Sequence, residues 1–568
     1  MLSRTHAAGS NGSKQFDCDS LTYPGSRSLS LLKSLAPGAV LLFIYSSAIF
    51  LLHPLPNLPF HDDWTYAWSV EHFLNTGELQ VLDWSVHYPF VQILWGALFC
   101  LPFGFSFSAL RVSTVVLAWV GAVALYGTLR ELGRARSESL IATVVLVANP
   151  VFFVLGFSFM TDVPFVSFAS VAFFFITRGL FRKSPSQIYL GCIFAACALF
   201  IRQIAVAIPV SLLLYFLFTP SHRSWRYLLP TSGICLLFFL APILTAQIFG
   251  VTSASKSLTT WVIDFWLHRY TQAVPGLLRI FIHTGLALFP LSMPIVASVY
   301  RRPLFWVVVA ALSILTACSM LIAGEIPNVQ DGMWQLNTLG RERHLLQGSP
   351  ARDFLPPWLN PPLFVLSLFS SAVVIVKVVD VILAGIGNPL GLFVLYGSIQ
   401  FALIMVLWFF GPWGSDRYSM VLFPPLIIIL TNSQIKAKVV ALAGITVLFA
   451  LSMLVTWNET QTSRAIAQGV AWLRARNIPF ASIDAGYVFN GWNLYAHSEN
   501  LPPGAIPGRD VPLVTSAEKK PYVVAASPIA GYRVIHEFSW AIPLTSFKPK
   551  VYVVEQLSHT PKNKDQLP

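Results

Sequence analysis

The chain has 568 residues, of which 55% are hydrophobic and only 11% are charged, and its formal net charge is +12. Soluble domains carry about 25% charged residues, so these proportions exclude an ordinary soluble globular protein. Apolar runs of about 20 residues, the length that crosses a bilayer, recur along the chain and exclude one large soluble core. The positive charge lies in short clusters between these runs, without an aromatic–basic binding module, which argues against binding to nucleic acid.

The polar N-terminal residues 1–35 are predicted to form a disordered cytoplasmic tail. The apolar run that follows is longer than the core of a signal peptide and lacks a clear cleavage site, so we predict a retained first helix. Residues 36–457 are predicted to form a transmembrane domain with about thirteen spans. The spans are predicted at residues 36–55, 109–129, 139–156, 163–180, 188–201, 204–218, 228–248, 277–299, 304–322, 363–383, 390–410, 418–430 and 439–457.

Residues 88–103 are ambiguous because they are apolar but short, and Pro89 and Pro102 interrupt them. If this segment spans the membrane, every basic cluster lies on the side opposite the N-terminus. If it does not span, all of the clusters lie on the same side as the N-terminus, as the positive-inside rule requires. We therefore predict an interfacial, re-entrant element in a chain that lies in the plasma (inner) membrane with its N-terminus in the cytoplasm. The clusters are Arg130/Arg134/Arg136, Arg178/Arg182/Lys183, Arg223/Arg226, Arg301/Arg302 and Lys436/Lys438.

This topology leaves a first outer loop (56–108), a second loop (249–269), a lid-like loop (324–362) and the C-terminal residues on the periplasmic or extracellular side. Residues 458–568 change in composition and are predicted to form a small α/β domain outside the membrane, with a disordered end after residue 558. The predicted elements are a helix at 464–476 and strands at 481–483, 522–526, 532–535 and 551–554. The predicted fold class is thus an α-helical polytopic membrane protein with a small C-terminal α/β domain.

Three carboxylates lie on the predicted outer side, where charge next to a bilayer is costly and usually functional. Asp62 and Asp63 follow the first span, and Asp162 precedes the span at 163–180. Each could instead cap the helix that follows it. Because two adjacent aspartates directly after a span favour function, we predict that all three are catalytic carboxylates.

Arginines lie on the same side as the carboxylates. Arg202 falls between two short spans, Arg417 lies in an outer turn, and Arg341 lies in the lid-like loop. A guanidinium group binds phosphate in a bidentate manner, so these three arginines are predicted to bind a donor phosphate. The alternatives for Arg202 are snorkelling and pairing with an outer aspartate.

Three motifs in a fixed order resemble the C-type glycosyltransferase superfamily, in the branch of protein O-mannosyltransferases and lipid A aminoarabinose transferases. They are Asp62-Asp63-Trp64-Thr65-Tyr66-Ala67 with the later Thr76-Gly77-Glu78-Leu79, then His87-Tyr88-Pro89 leading through Phe103-Gly104 to Ala109-Leu110-Arg111, and then Asp162. The resemblance covers residues 36–457. The outer C-terminal domain also resembles the arrangement of the aminoarabinose transferases.

The resemblance implies a polyprenyl-phosphate-linked sugar donor and an active site at the outer face, with Asp62 as the catalytic base. It places Arg202 where many relatives carry a lysine that faces the lipid phosphate, and Arg417-Tyr418 resembles a late Arg-Tyr motif. Residues predicted to contact the acceptor or to belong to the lid are Trp334, Tyr66 and His87. No cofactor and no metal ligand are predicted, although clustered aspartates leave a divalent cation open.

The resulting hypothesis is a membrane glycosyltransferase that inverts the sugar's anomeric centre and acts on a lipid, glycan or protein acceptor. The alternative is a transporter or lipid flippase, in which the acidic residues would be ion-coupling sites near the midplane of the bilayer. A structural scaffold is a third reading, but it leaves the outer acidic and basic turns unexplained.

Overall fold

The computed structural model describes residues 24–220, 224–253, 273–324, 329, 346–348, 356–410, 416–505, 520–543 and 548–557, with scattered residues between 254 and 272. Residues 1–23 of the predicted tail, most of the lid-like loop, and the end after residue 558 lie outside the described residues. Arg341 and Trp334 therefore also lie outside them. The prediction of a disordered tail is wrong for residues 24–35, which form the beginning of the first helix, Pro24–Leu52.

The described chain is mainly α-helical because its long apolar runs satisfy their backbone hydrogen bonds internally. The helices are α1 (Pro24–Leu52), α2 (Asp63–Thr76), α3 (Phe90–Cys100), α4 (Phe107–Glu131), α5 (Arg136–Val147), α6 (Pro150–Gly156), α7 (Asp162–Arg182), α8 (Pro185–Leu199), α9 (Ala207–Phe218), α10 (Trp225–Phe249), α11 (Ala273–Ser292), α12 (Pro303–Ala323), α13 (Asn360–Leu383), α14 (Gly391–Phe410), α15 (Asp416–Ser419), α16 (Phe423–Leu430), α17 (Lys438–Arg474) and α18 (Gly486–Asn490).

Seven of the described helices are long and apolar enough to cross a membrane. An eighth span results if α5 and α6, which meet at an angle of 68°, are counted together. Shorter apolar helices accompany these spans. The structure thus confirms a polytopic helical membrane protein, whereas the total of about thirteen spans stays a prediction.

The predicted span at 139–156 is two helices rather than one continuous helix. The break is at Asn149, whose side-chain oxygen accepts hydrogen bonds from the backbone N–H groups of Val151 and Phe152. Pro150 is the first residue of the second helix. An asparagine cap followed by proline starts a new helix and ends the old one, which explains the bend.

The predicted span at 418–430 is also interrupted. The short helices α15 and α16 flank a 3₁₀ turn at Met420–Leu422, and Pro424 and Pro425 lie in the first turn of α16. α16 has 8 residues. At about 1.5 Å per residue it is too short to cross a bilayer alone.

The ambiguous apolar segment at 88–103 contains α3, which has 11 residues. A helix of that length reaches about 16 Å, roughly half of the hydrocarbon core. The helix therefore does not cross as a single span, and its position at the interface stays a prediction.

The last predicted span and the predicted helix at 464–476 are one helix, α17, which has 37 residues. The predicted boundary at residue 457 is wrong for the helix because no proline occurs between Lys438 and Arg474. Its first half exposes apolar residues such as Val439 and Leu442, as a membrane-facing surface does. Its second half is polar and extends into the C-terminal domain.

The C-terminal domain contains a four-stranded sheet with the order β1-β2-β4-β3. The strands are β1 (Ile483–Asp484), β2 (Tyr522–Ala525), β3 (Tyr532–Ser539) and β4 (Lys550–Gln556). β1 and β2 are parallel, whereas β2 with β4 and β3 with β4 are antiparallel. Three predicted strands are confirmed, and the first begins two residues later than expected because residues 480–482 form a 3₁₀ turn.

The second half of α17 packs directly on this sheet. A side chain at Gly469 would lie only 3.3 Å from the side chains of Val524 and Val553. Glycine at this position lets the helix approach the sheet closely. The membrane domain and the C-terminal domain therefore share one helix and one packed interface.

The helical domain has two chemically distinct ends. At the end where α4 and α7 finish, Arg182 contacts Glu131 at 2.9 Å and Arg134 contacts Asn432 at 2.6 Å. At the other end, where α4 and α7 begin, lie Asp63 and Asp162. The predicted basic clusters on α4 and α7 and the predicted catalytic carboxylates thus lie at opposite ends, as the charge pattern indicates.

Candidate active site

The site is built on the turn between α1 and α2. His61 has a φ of +49°, which few non-glycine residues adopt. Asp62 follows at the N-cap position of α2, but its side chain makes no capping hydrogen bond. The carboxylate of Asp62 is therefore turned away from the helix that it precedes, and the capping alternative is wrong for this residue.

Asp62 contacts two residues from distant parts of the chain. Nη1 of Arg417 donates to Oδ2 of Asp62 at 3.2 Å, and the hydroxyl of Tyr487 donates to Oδ1 at 2.7 Å. The side chain of Asp62 is 28% exposed. The carboxylate is thus held in a fixed orientation and can still be reached by a substrate.

A second ion pair lies nearby between Asp162 and Arg202. Nη1 of Arg202 donates to Oδ1 of Asp162, and both side chains are buried. Pairing with an aspartate, one of the alternatives from the sequence, is thus observed for Arg202. Because the Arg202 Nε atom has no hydrogen-bond partner among the described residues, the guanidinium retains a donor for a ligand.

The ring of Tyr418 joins the two ion pairs. The guanidinium of Arg202 lies 5.5 Å from the ring centre, and that of Arg417 lies 5.3 Å from it. Both arginines can be held there by cation–π attraction. The structure therefore brings four of the predicted site residues, Asp62, Asp162, Arg202 and Arg417, into one cluster.

Asp63 occupies a different environment from its neighbour. Its carboxylate is fully buried, accepts hydrogen bonds from the backbone N–H groups of Phe60 (2.6 Å) and Phe159 (3.4 Å), and lies 3.8 Å from Arg111. Burial raises the pKa of Asp63 to about 7, against the opposing effect of Arg111. This geometry, with a fully buried carboxylate held by backbone N–H groups and an arginine, is that of an internal anchor.

Arg111 completes that anchor. Its guanidinium donates to the backbone carbonyls of Pro56 and Leu58 and lies 3.9 Å from the centre of the Phe60 ring. The loop after α1 is thereby fixed to the start of α4. Asp63 and Arg111 together determine where the neighbouring Asp62 points.

His87 and Tyr66 also lie at this cluster. Nδ1 of His87 is 2.9 Å from Oε1 of Gln203, next to Arg202 in sequence. Burial, followed by the charge of Arg202, lowers the pKa of His87 to about 4, so the imidazole is neutral at pH 7. Tyr66 is buried on the first turns of α2, and burial raises the pKa of its hydroxyl.

Tyr487 is a site residue that the sequence did not indicate. It lies on α18 of the C-terminal domain, and its hydroxyl accepts a hydrogen bond from Nε1 of Trp84 at 2.9 Å while donating to Asp62. Tyr487 also packs edge-on against Trp64, which is fully buried. No local pattern marks Tyr487, since its partner is more than 400 residues away in the chain.

Among the described residues, no group of three or more His, Cys, Asp or Glu side chains is arranged to hold a metal ion. The carboxylates of Asp62 and Asp162 are engaged by arginines instead. The chemistry of this donor set is that of an anion site beside a carboxylate, which suits a phosphate and a proton acceptor.

A family model described as dolichyl-phosphate-mannose-protein mannosyltransferase matches residues 87–248. The matched segment includes His87, Asp162 and Arg202. This segment, less than half of the chain, is similar to a family of glycosyltransferases. The match confirms the resemblance that the motifs indicated, in the mannosyltransferase-like branch, and the enzyme class that followed from it.

The glycosyltransferase is also similar to three solved structures, with low sequence identity in each case. The crystal structure of ArnT from Cupriavidus metallidurans in the apo state has a TM-score of 0.37 and 11% identity, covering 91% of this chain and 98% of that one. The same ArnT bound to undecaprenyl phosphate has a TM-score of 0.35 and 13% identity, covering 77% and 78%.

The third structure is the Archaeoglobus fulgidus oligosaccharyltransferase tethered to an acceptor peptide. It has a TM-score of 0.41 and 12% identity, covering 86% of this chain and 62% of that one. None of the curated proteins matches the chain. The assignment of the glycosyltransferase therefore rests on residues 87–248 and on the motifs.

Proposed function

We propose that this glycosyltransferase moves a sugar from a polyprenyl-phosphate-linked donor to an acceptor in one inverting step, with Asp62 as the base. One observation carries the proposal: a partly exposed carboxylate lies beside two arginines that converge on one tyrosine ring. The description of the matching family, which names a dolichyl-phosphate sugar donor, supports the donor class.

The reaction would proceed as follows. Asp62 removes the proton from an acceptor hydroxyl, and the acceptor oxygen forms a bond to the anomeric carbon of the sugar. The bond between that carbon and the phosphate oxygen breaks, and the polyprenyl phosphate leaves with the electron pair. The leaving phosphate gains one negative charge, and the proton stays on Asp62 until it is released to solvent.

Arg417 has a double role in this proposal because it contacts Asp62 and faces the position assigned to the phosphate. A dianionic leaving group attracts a guanidinium more strongly than a single carboxylate does. When the donor binds, Arg417 turns from Asp62 toward the phosphate and leaves that carboxylate oxygen open to the acceptor hydroxyl. Arg202 stays with Asp162 and offers its remaining N–H groups to the same phosphate.

Asp63 would act as a positioning residue. Its carboxylate holds the loop after α1 against the start of α4 through Phe60 and Arg111. It does not touch the reacting atoms. Asp162 would position Arg202 in the same way. His87 is neutral at pH 7 and would contact the substrate by hydrogen bonding.

We place the site at the outer face of the plasma (inner) membrane, because the basic clusters mark the opposite end of the helices as cytoplasmic. A transporter or flippase is expected to hold its charged residues near the midplane, with unwound helices around them. The Asp62–Arg417 and Asp162–Arg202 pairs lie at one end of the helices, which favours the enzyme.

The test uses purified full-length protein in nanodiscs, supplied with radiolabelled sugars linked to polyprenyl phosphate and with membrane extract as the source of acceptors. Consumption of one donor with release of polyprenyl phosphate, and a product of opposite anomeric configuration, would support the proposal. In sealed proteoliposomes, a labelled donor that only moves between leaflets, without cleavage, would support the flippase instead.

A further inference from the structure

Asp484 is a buried carboxylate of the C-terminal domain that the proposed reaction does not use. It is the last residue of β1, and only 4% of it is exposed. Its Oδ1 atom accepts hydrogen bonds from the backbone N–H of Gly486 and from Nδ2 of Asn490, each at 2.9 Å. Its Oδ2 atom accepts a hydrogen bond from Nε2 of Gln347. Because a buried carboxylate is costly without such donors, these contacts fix all four residues relative to one another.

Two of the three donors belong to α18. Gly486 begins this helix and Asn490 ends it, so one carboxylate oxygen is bonded to both of its ends. The helix has 5 residues, far fewer than the about 12 that an isolated helix needs to be stable in water. The direction of α18 therefore depends on contacts such as those to Asp484.

Tyr487 is the second residue of α18 and carries the consequence to the Asp62 cluster. Its hydroxyl, which donates to Asp62 at 2.7 Å, lies at the far end of a long side chain. Trp84 and Trp64 restrain that side chain from the membrane domain, whereas Asp484 restrains the backbone from which it extends. A small rotation of α18 at Asp484 would therefore change the distance between the hydroxyl and the Asp62 carboxylate.

The third donor, Gln347, belongs to the lid-like loop. Its backbone pairs with Ala525 of β2 in a parallel bridge, and its carbonyl accepts a hydrogen bond from the N–H of Ala526 at 3.0 Å. The preceding Leu346 is buried in the core of the C-terminal domain. Residues 346–348 thus extend the sheet beside the end of β1, and this places the Gln347 side chain against Asp484.

We propose that Asp484 and Gln347 are positioning residues that act on Asp62 through Tyr487. Neither touches the reacting atoms. The contacts run from the lid-like loop through Asp484 to α18 and from there to the base, so a segment outside the helical domain sets the orientation of the catalytic carboxylate. This inference rests on the proposed function for the role of Asp62, but the position of Tyr487 can be measured without the reaction.

The first experiment observes Tyr487 directly. Fluorotyrosine is incorporated at position 487 of the full-length protein in nanodiscs, and its fluorine NMR resonance is recorded. Asp62→Ala gives the resonance of a hydroxyl that has lost this carboxylate. We expect Asp484→Ala to move the resonance toward that position.

The second experiment is a double-mutant cycle on the transfer rate. Asp484→Ala should lower kcat about threefold to tenfold, at most the effect of one hydrogen bond to a charged group, with little change in the KM for the donor. In a Tyr487→Phe background it should lower kcat no further, because both substitutions disturb the same contact. A purely structural role would instead reduce the rate by the same factor in both backgrounds.

A charge rescue tests Gln347 without removing a buried group. Gln347→Glu places a second carboxylate against Asp484, and we expect kcat to fall about threefold, the scale of one repulsive pair near the surface. Adding Asp484→Asn should restore the rate, because the new amide donates to the introduced carboxylate while its oxygen still accepts from Gly486 and Asn490.

Glu555→Gln is the matched control for the acid-to-amide change. Glu555 lies on β4 of the same sheet and pairs with Arg533 at 2.6 Å, away from α18. This substitution should leave the fluorine resonance and kcat unchanged, and it should not rescue Gln347→Glu.

The inference is overturned if the fluorine resonance of Asp484→Ala stays at the wild-type position, if the Asp484→Ala and Tyr487→Phe losses multiply, or if Asp484→Asn does not rescue Gln347→Glu. Wild-type transfer by Asp62→Asn together with a moved resonance in Asp484→Ala would be a different result. It would contradict the proposed function while supporting the control of Tyr487 by Asp484.

Discussion

Tyr487 donates a hydrogen bond to Asp62 across 2.7 Å, so a residue of the C-terminal domain touches the carboxylate that we propose as the base. Trp84, in the loop before α3, donates to the same tyrosine hydroxyl at 2.9 Å. Three separate segments of the chain thus meet at one oxygen. The C-terminal domain thus contributes a side chain to the proposed active site.

Removing this hydroxyl tests that relationship. In Tyr487→Phe, the Asp62 carboxylate loses one of its two orienting contacts, and we expect the transfer rate kcat to fall about tenfold, the scale of one hydrogen bond to a charged group. The KM for the donor should change little. Tyr495→Phe is the matched control, because Tyr495 packs on the same tryptophans without contacting Asp62. Equal rates for the two variants would contradict a role of Tyr487 at the base.

Arg417 should matter for the donor more than for folding. Arg417→Gln removes a cation that we propose to bind the leaving phosphate, and we expect kcat to fall about 100-fold, with weaker donor binding as well. The measurement is steady-state transfer at varied donor concentration. Arg464→Gln removes a half-buried arginine that donates to the His53 carbonyl and serves as the control. Wild-type donor kinetics in Arg417→Gln would mean that the phosphate binds elsewhere.

Gly491 should be intolerant of any side chain. A Cβ atom there would lie 2.3 Å from Cε2 of Trp64, which is buried between α2 and the C-terminal domain. Gly491→Ala should cost about 1–3 kcal/mol of stability, the range for overpacking, and should displace Tyr487 from Asp62. Gly233→Ala has nothing within 4 Å and is the control. Thermal unfolding in detergent measures the difference, and identical melting temperatures would contradict this packing.

The pairing of His497 with Glu71 predicts a pH dependence of the interface between α2 and the C-terminal domain. Nε2 of His497 lies 3.1 Å from Glu71, and this hydrogen bond, together with the one to the Trp492 carbonyl, raises the pKa of His497 against the opposing effect of burial. A raised histidine pKa gives stability that is complete below about 6.5, the unfolded value, and is lost as the pH rises through the folded pKa.

Hydrogen exchange of the segment 486–500, corrected for the intrinsic exchange rate, should therefore accelerate as the pH rises through the folded pKa of His497. His497→Gln should exchange with no such added acceleration, since glutamine does not titrate. A segment that becomes more protected at higher pH would show that another group dominates the interface.

The charge pattern could predict which charged residues meet, but only the family resemblance distinguished Asp62 from the adjacent Asp63. Asp62, Asp162, Arg202 and Arg417 were placed on one side by counting spans and basic clusters, and the structure brings them together. Asp62 and Asp63 are adjacent in the sequence, and the strained turn at His61 determines which of the two carboxylates faces the site. That turn depends on Arg111 and Phe60, whose contacts are tertiary.

Site residues that come from distant parts of the chain could not be predicted either, because their roles also depend on tertiary contacts. Tyr487 lies in a short helix whose sequence carries no motif, and its role depends on how the C-terminal domain packs against Trp64. The break at Asn149 was visible in principle, since an asparagine followed by proline is a helix start inside an apolar run. The apolar composition of that run concealed it.

The central claim is that Asp62 is the base, and single-turnover transfer by Asp62→Asn tests it most directly. We predict that Asp62→Asn lowers the transfer rate by about 1,000-fold, the scale of general base catalysis, while donor binding is retained. Asp63→Asn, measured in parallel on the correctly folded fraction, should keep a far larger share of the rate. Wild-type transfer by Asp62→Asn would contradict the account.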